Sequence, residues 1–466
     1  MDTPGPASHR PQGLPARVIA RVIALRPGEG RAVLLSACYF FFVLLSYYIL
    51  RPVREVMGIK RSYDDLPWLM TGTLVVMALV NPLYSLLVSR FPRRIFIPAT
   101  YRFFALNMLI FMALFYLLPK SWEVGLGYAY YIWLSVFNLF VVSVFWGLNA
   151  DIYDREQSKR LFGMIAIGGT LGAIAGAWIV EYSDSLLAWI SARLGAGGKI
   201  SAVPLLLLMA IVPLELSVQC VRALLRWQRA RTPVVVVGGQ GPAPAHNAVA
   251  GQPTENEPGP GMWKGLQLIA RSPMLLSIAA YMLLYTITST FLYMQQGQIV
   301  ASTFTDENAR LAAFAELDRW TNIFTLGTQL FLTSQIMRVL GVGGTLCVLP
   351  VVTIAGFTAM WFNPTFEVFK WFQVVRRGLH YAVDRPARES LYTLMGPDEK
   401  YKSKSFIDTF VYRAGDMIGG WVPNWVRPLG IAIAWLAVPL SAVWLGVALV
   451  LGVLQKRKAA VNPGRP

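Results

Sequence analysis

The sequence predicts an all-helical membrane protein with twelve spans in two six-helix halves, and three observations carry that expectation. Of 466 residues, 55% are hydrophobic and only 14% charged, where a soluble domain carries about 25% charge. Apolar stretches of about 20 residues, the length that crosses a hydrocarbon core about 30 Å thick, recur along nearly the whole chain. Matching glycine and charge patterns also recur late in each half. An ordinary soluble enzyme is excluded. The first thirty residues lack the apolar core and cleavage site of a signal peptide, so the first span is expected to begin near Ala32 and to be retained.

Spans are expected near 32–50, 66–89, 95–118, 125–149, 164–182 and 201–221, then near 273–300, 316–337, 342–362, 365–384, 405–424 and 428–454. The corresponding divisions are a tail over 1–31, a six-helix half over 32–222, a linker over 223–262, a second half over 263–456 and a tail over 457–466. The linker begins basic and becomes rich in Pro and Gly, the composition of a solvated connection. In the first tail, Val18, Ile19, Val22 and Ile23 stand against Arg17 and Arg21 at helical spacing, which suits a helix lying on an anionic leaflet.

The net charge of +17 is gathered in alternate loops. Arg90, Arg93 and Arg94 fill one, Arg155, Lys159 and Arg160 the next, and Arg222, Arg226, Arg229 and Arg231 the third; Lys400, Lys402 and Lys404 occupy the last. Arginines in the first tail and Lys456, Arg457 and Lys458 in the last place both termini in the cytoplasm by the positive-inside rule. These cations lack the interleaved aromatics of a nucleic-acid face, so no nucleic-acid partner is expected. Cys38, Cys220 and Cys347 stand singly, without metal or redox spacing, and read as packing residues. The phosphate-binding glycine loop followed by Lys and Ser or Thr is missing, as is any zinc pair, so no cofactor or metal and no ATP-driven pump is expected.

In "LFGMIAIGGTLGAIAG", Gly168, Gly172 and Gly176 are spaced to share one helix face, and Gly415 and Gly419 repeat the step in the second half. Such spacing lets helix backbones approach closely. Two six-helix halves joined by a polar linker are the plan of alternating-access carriers, whose site lies between the halves.

Charges inside apolar stretches give the candidate site. In "FEVFKWFQVVRRGLHYAVDRPARESLYTL", Lys370, Gln373, Arg377, Tyr381, Asp384 and Arg388 fall within about 80° on a helical wheel. Charges in a span usually face the bundle interior, where Arg377 and Asp384 are expected to share a polar environment. Pro386 is expected to kink or end this helix and leave Arg388 and Glu389 near the cytoplasmic mouth. Asp408, Arg413 and Asp416 open the eleventh span and either neutralise one another or meet a solute; Asp318 and Arg319 read as interfacial. Glu181 and Glu215 read as isolated carboxylates near helix ends. With His9 and His246 in flexible segments, His380 is the one imidazole placed to titrate, as a gating or packing residue. In "SYYILRPVREVMG" a short first span leaves Arg51 and Arg54 as interfacial anchors, whereas a helix continuing to Gly58 gives Tyr47, Arg51 and Arg54 one face.

The turn "SLLVSRFPRRI" resembles the major facilitator signature in Leu87, Arg90, Arg93 and Arg94. Ser85, Ser89 and Pro92 replace its glycine, aspartate and second glycine, and the loss of the aspartate puts the usual charge latch between helices in doubt. "YYILRPVREVMG" and "KYKSKSFID" resemble the ATP/ADP translocase type of nucleotide carrier through Leu50, Arg51, Arg54 and Glu55 and through the lysine-rich run ending at Asp408. "ADIYDREQSKRLFGMIAIGGTLGAIAG" and "DRPARESLYTLMGPDEKYKSKSFIDTFVYRAGD" look more like the bacterial relatives of that family. The resemblance implies that Arg54 and Lys404 meet substrate phosphate, with Arg54 standing where the translocases carry Lys. Arginine supplies a planar fork in place of a point charge.

These readings converge on a secondary carrier in a bacterial inner membrane, moving a small anionic metabolite, with nucleotide exchange as the specific version. Arg51, Arg54, Arg377 and Lys404 would attract the anion, and Glu55, Asp384 and Asp408 would hold those cations in its absence. The alternative is a carrier-shaped membrane receptor or assembly partner without turnover. The expected partners are the lipid bilayer and a small anionic solute.

Overall fold

A computed structural model of the protein describes residues 26, 29–194, 201–231, 267–395, 403–404, 406–429 and 432–461. All regular structure among them is helical. The amphipathic stretch of the first tail, the 232–262 part of the linker, His9, His246, Lys400 and Lys402 lie outside the described residues.

Seven helices precede the linker: α1 (Gly30–Gly58), α2 (Leu66–Arg90), α3 (Arg93–Leu117), α4 (Glu123–Ile152), α5 (Arg155–Glu181), the short α6 (Ser183–Leu194) and α7 (Val203–Arg231). After it come α8 (Pro273–Thr303), α9 (Glu307–Phe331), α10 (Thr333–Phe362), α11 (Phe366–Leu379), α12 (Arg385–Leu391), α13 (Tyr412–Val426) and α14 (Ile433–Val461). Side chains fix several starts. Asp154 and Gln157 form a reciprocal capping box on α5, while Ser272, Asp306 and Thr365 each accept a first-turn amide of α8, α9 and α11.

Several boundaries differ from the sequence expectation. Helix α1 runs through Pro52 to Gly58 without stopping near residue 50. Helix α7 continues to Arg231, and α14 continues to Val461 through Lys456, Arg457 and Lys458, because hydrogen bonding within a helix does not stop where its hydrophobic stretch ends. Helix α6 was not expected. Pro386 does not end the tenth expected span: a π turn over His380–Asp384 carries α11 into α12, and Pro386 falls in the first turn of α12, where its missing amide hydrogen is tolerated. Helix α10 bends at Gly341, whose φ of 65° suits a residue without a side chain.

Among the described residues, nine helices are long and apolar enough to cross a membrane. Helices α9, α11 and α13 are outside that set, and each carries charge inward: Asp318, Arg377 and Arg413 with Asp416 respectively. Apolar side chains such as Leu79, Tyr116, Val339 and Phe362 stay exposed on the outside of the bundle, the inversion expected of a protein solvated by lipid.

Helix α1 packs chiefly against α5 and α7, and α8 against α13 and α14. The seam between α1 and α5 is closed by the predicted glycines. A Cβ on Gly168, Gly172 or Gly176 would come within 3.0 Å of the carbonyl oxygens of Ala37, Phe41 and Leu45. A Cβ on Gly415 or Gly419 would instead meet the side chains of Thr286 and Thr290 of α8, with the Leu283 and Ile287 carbonyls at 3.2 and 2.9 Å. Arg93 of the major-facilitator-like turn, at the start of α3, pairs with Asp151 and donates to the Gly147 carbonyl at 3.0 Å, both near the end of α4.

Candidate functional site

A cavity of about 330 Å³ lies where α1, α2, α4, α8, α11 and α13 converge. Arg51, Arg54, Arg377 and Arg413 supply its cations, Asp416 a carboxylate, and Tyr131, Tyr285, Tyr293, Tyr381 and Tyr412 its aromatic wall. Gln296, Gln373 and His380 complete the polar lining. The continuation of α1 past residue 50 is what brings both of its arginines here, so the anchor reading of Arg51 and Arg54 is set aside.

Two carboxylates serve the first three arginines. Asp318, 4% exposed, takes Arg51 Nη1 at 2.5 Å and Arg377 Nη1 at 3.1 Å on the same Oδ1. Glu55 Oε1 accepts from Arg54 Nη2 at 2.5 Å and lies 3.9 Å from Arg51 Nε. The Tyr293 hydroxyl donates to Glu55 Oε2 at 2.6 Å, and the hydroxyls of Tyr131 and Tyr293 are 2.8 Å apart. Arg54 also lies over the Tyr131 ring at 5.0 Å, yet its buried Nε has no hydrogen-bond partner among the described residues. Such an orphan donor beside two arginines sharing one carboxylate fits an anionic guest.

The remaining candidates are dispersed. Arg413 and Asp416 pair at 3.4 Å on the cavity wall, where Thr290 donates to Asp416 at 3.2 Å. Asp384 does not meet Arg377. Its carboxylate receives the Tyr281 hydroxyl and sits 3.1 Å from His380 Nδ1, because the π turn rotates it behind the cavity wall, while Arg377 reaches Asp318 instead. His380 itself stacks on Tyr285 at 4.1 Å and faces the cavity, while Arg388 is buried, 6% exposed. Lys370 pairs with Glu316 at 3.0 Å and Glu367 at 2.7 Å, away from the cavity lining. Lys404 pairs with Glu389 at 2.8 Å and approaches the Tyr392 ring, so it does not join Arg54 in this arrangement; Asp408 is exposed at the start of the π turn before α13. Tyr47 packs edge-on against Tyr48 and is not part of the lining. Arg90 and Arg94 stay on the surface near the Arg93 pair.

Asp318 and Arg319 are not interfacial residues. Arg319 forks onto Glu181 of α5, with Nη2 to Oε1 at 2.8 Å, and Glu215 pairs with Arg102 at 2.8 Å, so neither glutamate is isolated. Sequence reasoning also missed Tyr131, Tyr285, Tyr293, Gln296 and Arg376. The signal available for Asp318 was the rule applied to α11, that an ionisable group in a helix among apolar residues marks a polar path.

Contacts joining α1–α7 to α8–α14 concentrate toward the Gly58 end of the bundle. Lys60, which also binds Glu123 of its own half at 2.9 Å, reaches Glu307 of α9; Ser201 donates to Glu307 at 2.8 Å, and Asn308 to Asp184 at 2.8 Å. The rings of Trp68 and Trp421 meet at 4.7 Å. Burial opposes the Lys60 charge, but the two carboxylates outweigh it and raise its pKa above the ordinary lysine value. At the opposite end Glu29, just before α1, accepts from the Arg26 amide and from Arg160 and Gln157, which holds its carboxyl below the usual range.

A lipid-facing helical bundle around a cationic central cavity defines an integral membrane transporter, and comparisons with known proteins agree. Residues 117–450 match the TLC ATP/ADP transporter family, and the chain belongs to it. ADP,ATP carrier protein 1, chloroplastic, from Arabidopsis thaliana is 20% identical over 469 residues, covering 89% of this chain and 72% of that protein. Among solved structures, a bacterial homolog of the human lysosomal transporter Spinster, inward-facing and unoccupied, superposes with a TM-score of 0.53 at 13% identity, covering 94% of this chain and 96% of that one. The nucleoside transporter NupG gives 0.54 at 14% identity, covering 92% and 99%. An auto-inhibited POT family peptide transporter gives 0.55 at 13% identity, covering 92% and 97%. At such identities these structures speak to fold alone. The relatives are transporters, not enzymes.

Proposed function

We propose that the protein is a secondary carrier that exchanges a phosphorylated anion, most specifically a nucleotide, by alternating access. The observation that carries this reading is the unsaturated arginine cluster: Asp318 shared by Arg51 and Arg377, with Arg54 Nε buried and unpartnered among the described residues. A phosphate oxygen entering there would replace Asp318 or Glu55 at a guanidinium fork, and the tyrosines offer flat faces to a base. The nucleotide is suggested by the TLC ATP/ADP transporter family to which the chain belongs and by the similar plant ADP,ATP carrier.

In this reading α9, α11 with α12, and α13 also cross the bilayer, which brings the nine apolar helices to twelve spans in two halves, over about 32–222 and 263–456. The basic loops and both termini face the cytoplasm of a bacterial inner membrane. The Lys60, Glu307 and Trp68 contacts then close the outer side and separate when the halves rock.

Purified protein in liposomes preloaded with ADP should take up labelled ATP or ADP by counterflow, and Arg54→Gln should reduce that uptake at least tenfold. Counterflow of another anion in place of nucleotides would remove the nucleotide and keep the carrier. Saturable binding without uptake would favour the receptor reading.

A further inference from the structure

Arg376 is 1% exposed and lies one residue before the cavity-lining Arg377. No carboxylate among the described residues pairs with it; neutral oxygens hold it. Its Nε donates to Thr353 Oγ1 at 3.1 Å, and its Nη2 to Thr288 Oγ1 at 3.0 Å and the Tyr285 carbonyl at 3.4 Å. Both threonine hydroxyls donate to backbone carbonyls of their own helices, Thr353 to Leu349 and Thr288 to Leu284 and Tyr285. Their lone pairs are therefore turned toward the guanidinium. The nearby carboxylate of Asp384 is taken up by Tyr281 and His380.

The guanidinium lies 5.5 Å from the centre of the Tyr285 ring, which forms part of the cavity wall. Dipoles solvate this charge and no carboxylate forms an ion pair with it among the described residues; the opposing charge of Asp384 acts only from beyond contact and is shared with Arg388. A cation fixed in a poorly polarisable interior keeps a long-range field that a surface charge loses to water and salt. An aliphatic side chain would fill the space without the desolvation cost of a charge, so packing alone does not account for it.

We propose that Arg376 is a specificity-determining residue acting at a distance: a fixed cation behind the cavity wall that makes the cavity favour multiply charged anions without touching them. The proposal rests on the anionic-cargo reading for its biological meaning but not for its test. Arg51, Arg54 and Arg377 then select by contact, and Arg376 by charge number.

The test places Ser289→Cys, on the cavity lining, in full-length protein whose Cys38, Cys220 and Cys347 are serine. Rates of modification by a singly anionic and a singly cationic methanethiosulfonate reagent report the local potential directly. Arg376→Gln should lower the ratio of anionic to cationic rate about tenfold, and Arg376→Lys less than about twofold. Thr353→Asp, which keeps the arginine and places a carboxylate beside it, should lower the ratio as Arg376→Gln does; this variant decides the matter if Arg376→Gln does not fold. An unchanged ratio in the folded neutral variants, or an equal fall in Arg376→Lys, overturns the proposal.

In liposomes the KM of Arg376→Gln should rise by about threefold per unit of substrate charge across adenosine mono-, di- and triphosphate. A rise equal for all three indicates a contact and overturns action at a distance. If the wild type carries none of them, the nucleotide reading fails while the thiol ratio still decides the role of Arg376.

Discussion

Asp318 is the residue on which the electrostatics of the arginine cluster turn, and its replacement by Asn gives the sharpest forecast. The change is nearly isosteric, so packing is preserved while one buried negative charge is removed from between two guanidiniums at 2.5 and 3.1 Å. Breaking a buried ion pair by removing one partner costs about 3–5 kcal/mol, because the survivor is left uncompensated. Here there are two survivors, so Asp318→Asn should fall at the upper end of that range. Arg377→Gln leaves Asp318 paired with Arg51 and should cost about 1.5–3 kcal/mol, the range for a hydrogen bond to a charged group. The double variant should cost less than the sum, since the second change removes a charge that the first has stranded. Unfolding in mixed micelles titrated with SDS, followed by circular dichroism, measures all three. Inorganic pyrophosphate should stabilise Asp318→Asn more than the wild type by standing in for the carboxylate. Equal costs for the two single variants, with strict additivity in the double, would refute the shared-carboxylate argument.

Two further outcomes are expected. The stability contributed by Lys60 should be fully present below the unfolded lysine pKa of 10.5 and lost as pH climbs through its raised folded value, so thermal midpoints of wild type and Lys60→Met should converge in strongly alkaline buffer. Gly172→Leu should prevent accumulation of folded protein, because even a Cβ there meets the Phe41 carbonyl; Gly163→Leu on the same helix, where a Cβ meets nothing within 4 Å, should be tolerated, with fluorescence-detected size-exclusion profiles as the measure.

The apolar stretches, the glycine seam and the arginines of α1 could be read in the sequence because each is a local pattern of spacing or composition. The stripe on α11 was readable only as far as an ideal helix holds. Gln373, Arg377 and Tyr381 reach the cavity, but the π turn over His380–Asp384 breaks the 100° step, and Asp384 leaves the face that wheel geometry assigned to it. Lys370 follows the wheel and is captured instead by Glu316 and Glu367. Asp318 and Arg51 are 267 positions apart, and nothing in either segment names the other. Arg376 was hidden for the same reason, since its acceptors come from α8 and α10 and a single-helix projection cannot show them.

Three helices are tied in a ring by neighbouring residues that point in different directions. Asp318 of α9 grips Arg51 of α1, Arg319 beside it grips Glu181 of α5, and the glycines of α5 lie against the backbone of α1. Under the carrier proposal, an anion that takes Arg51 away from Asp318 would open one link of this ring while the Arg319–Glu181 pair still holds α9 to α5. Occupancy of the cavity and the grip at Glu181 would then be linked through two adjacent residues of one helix.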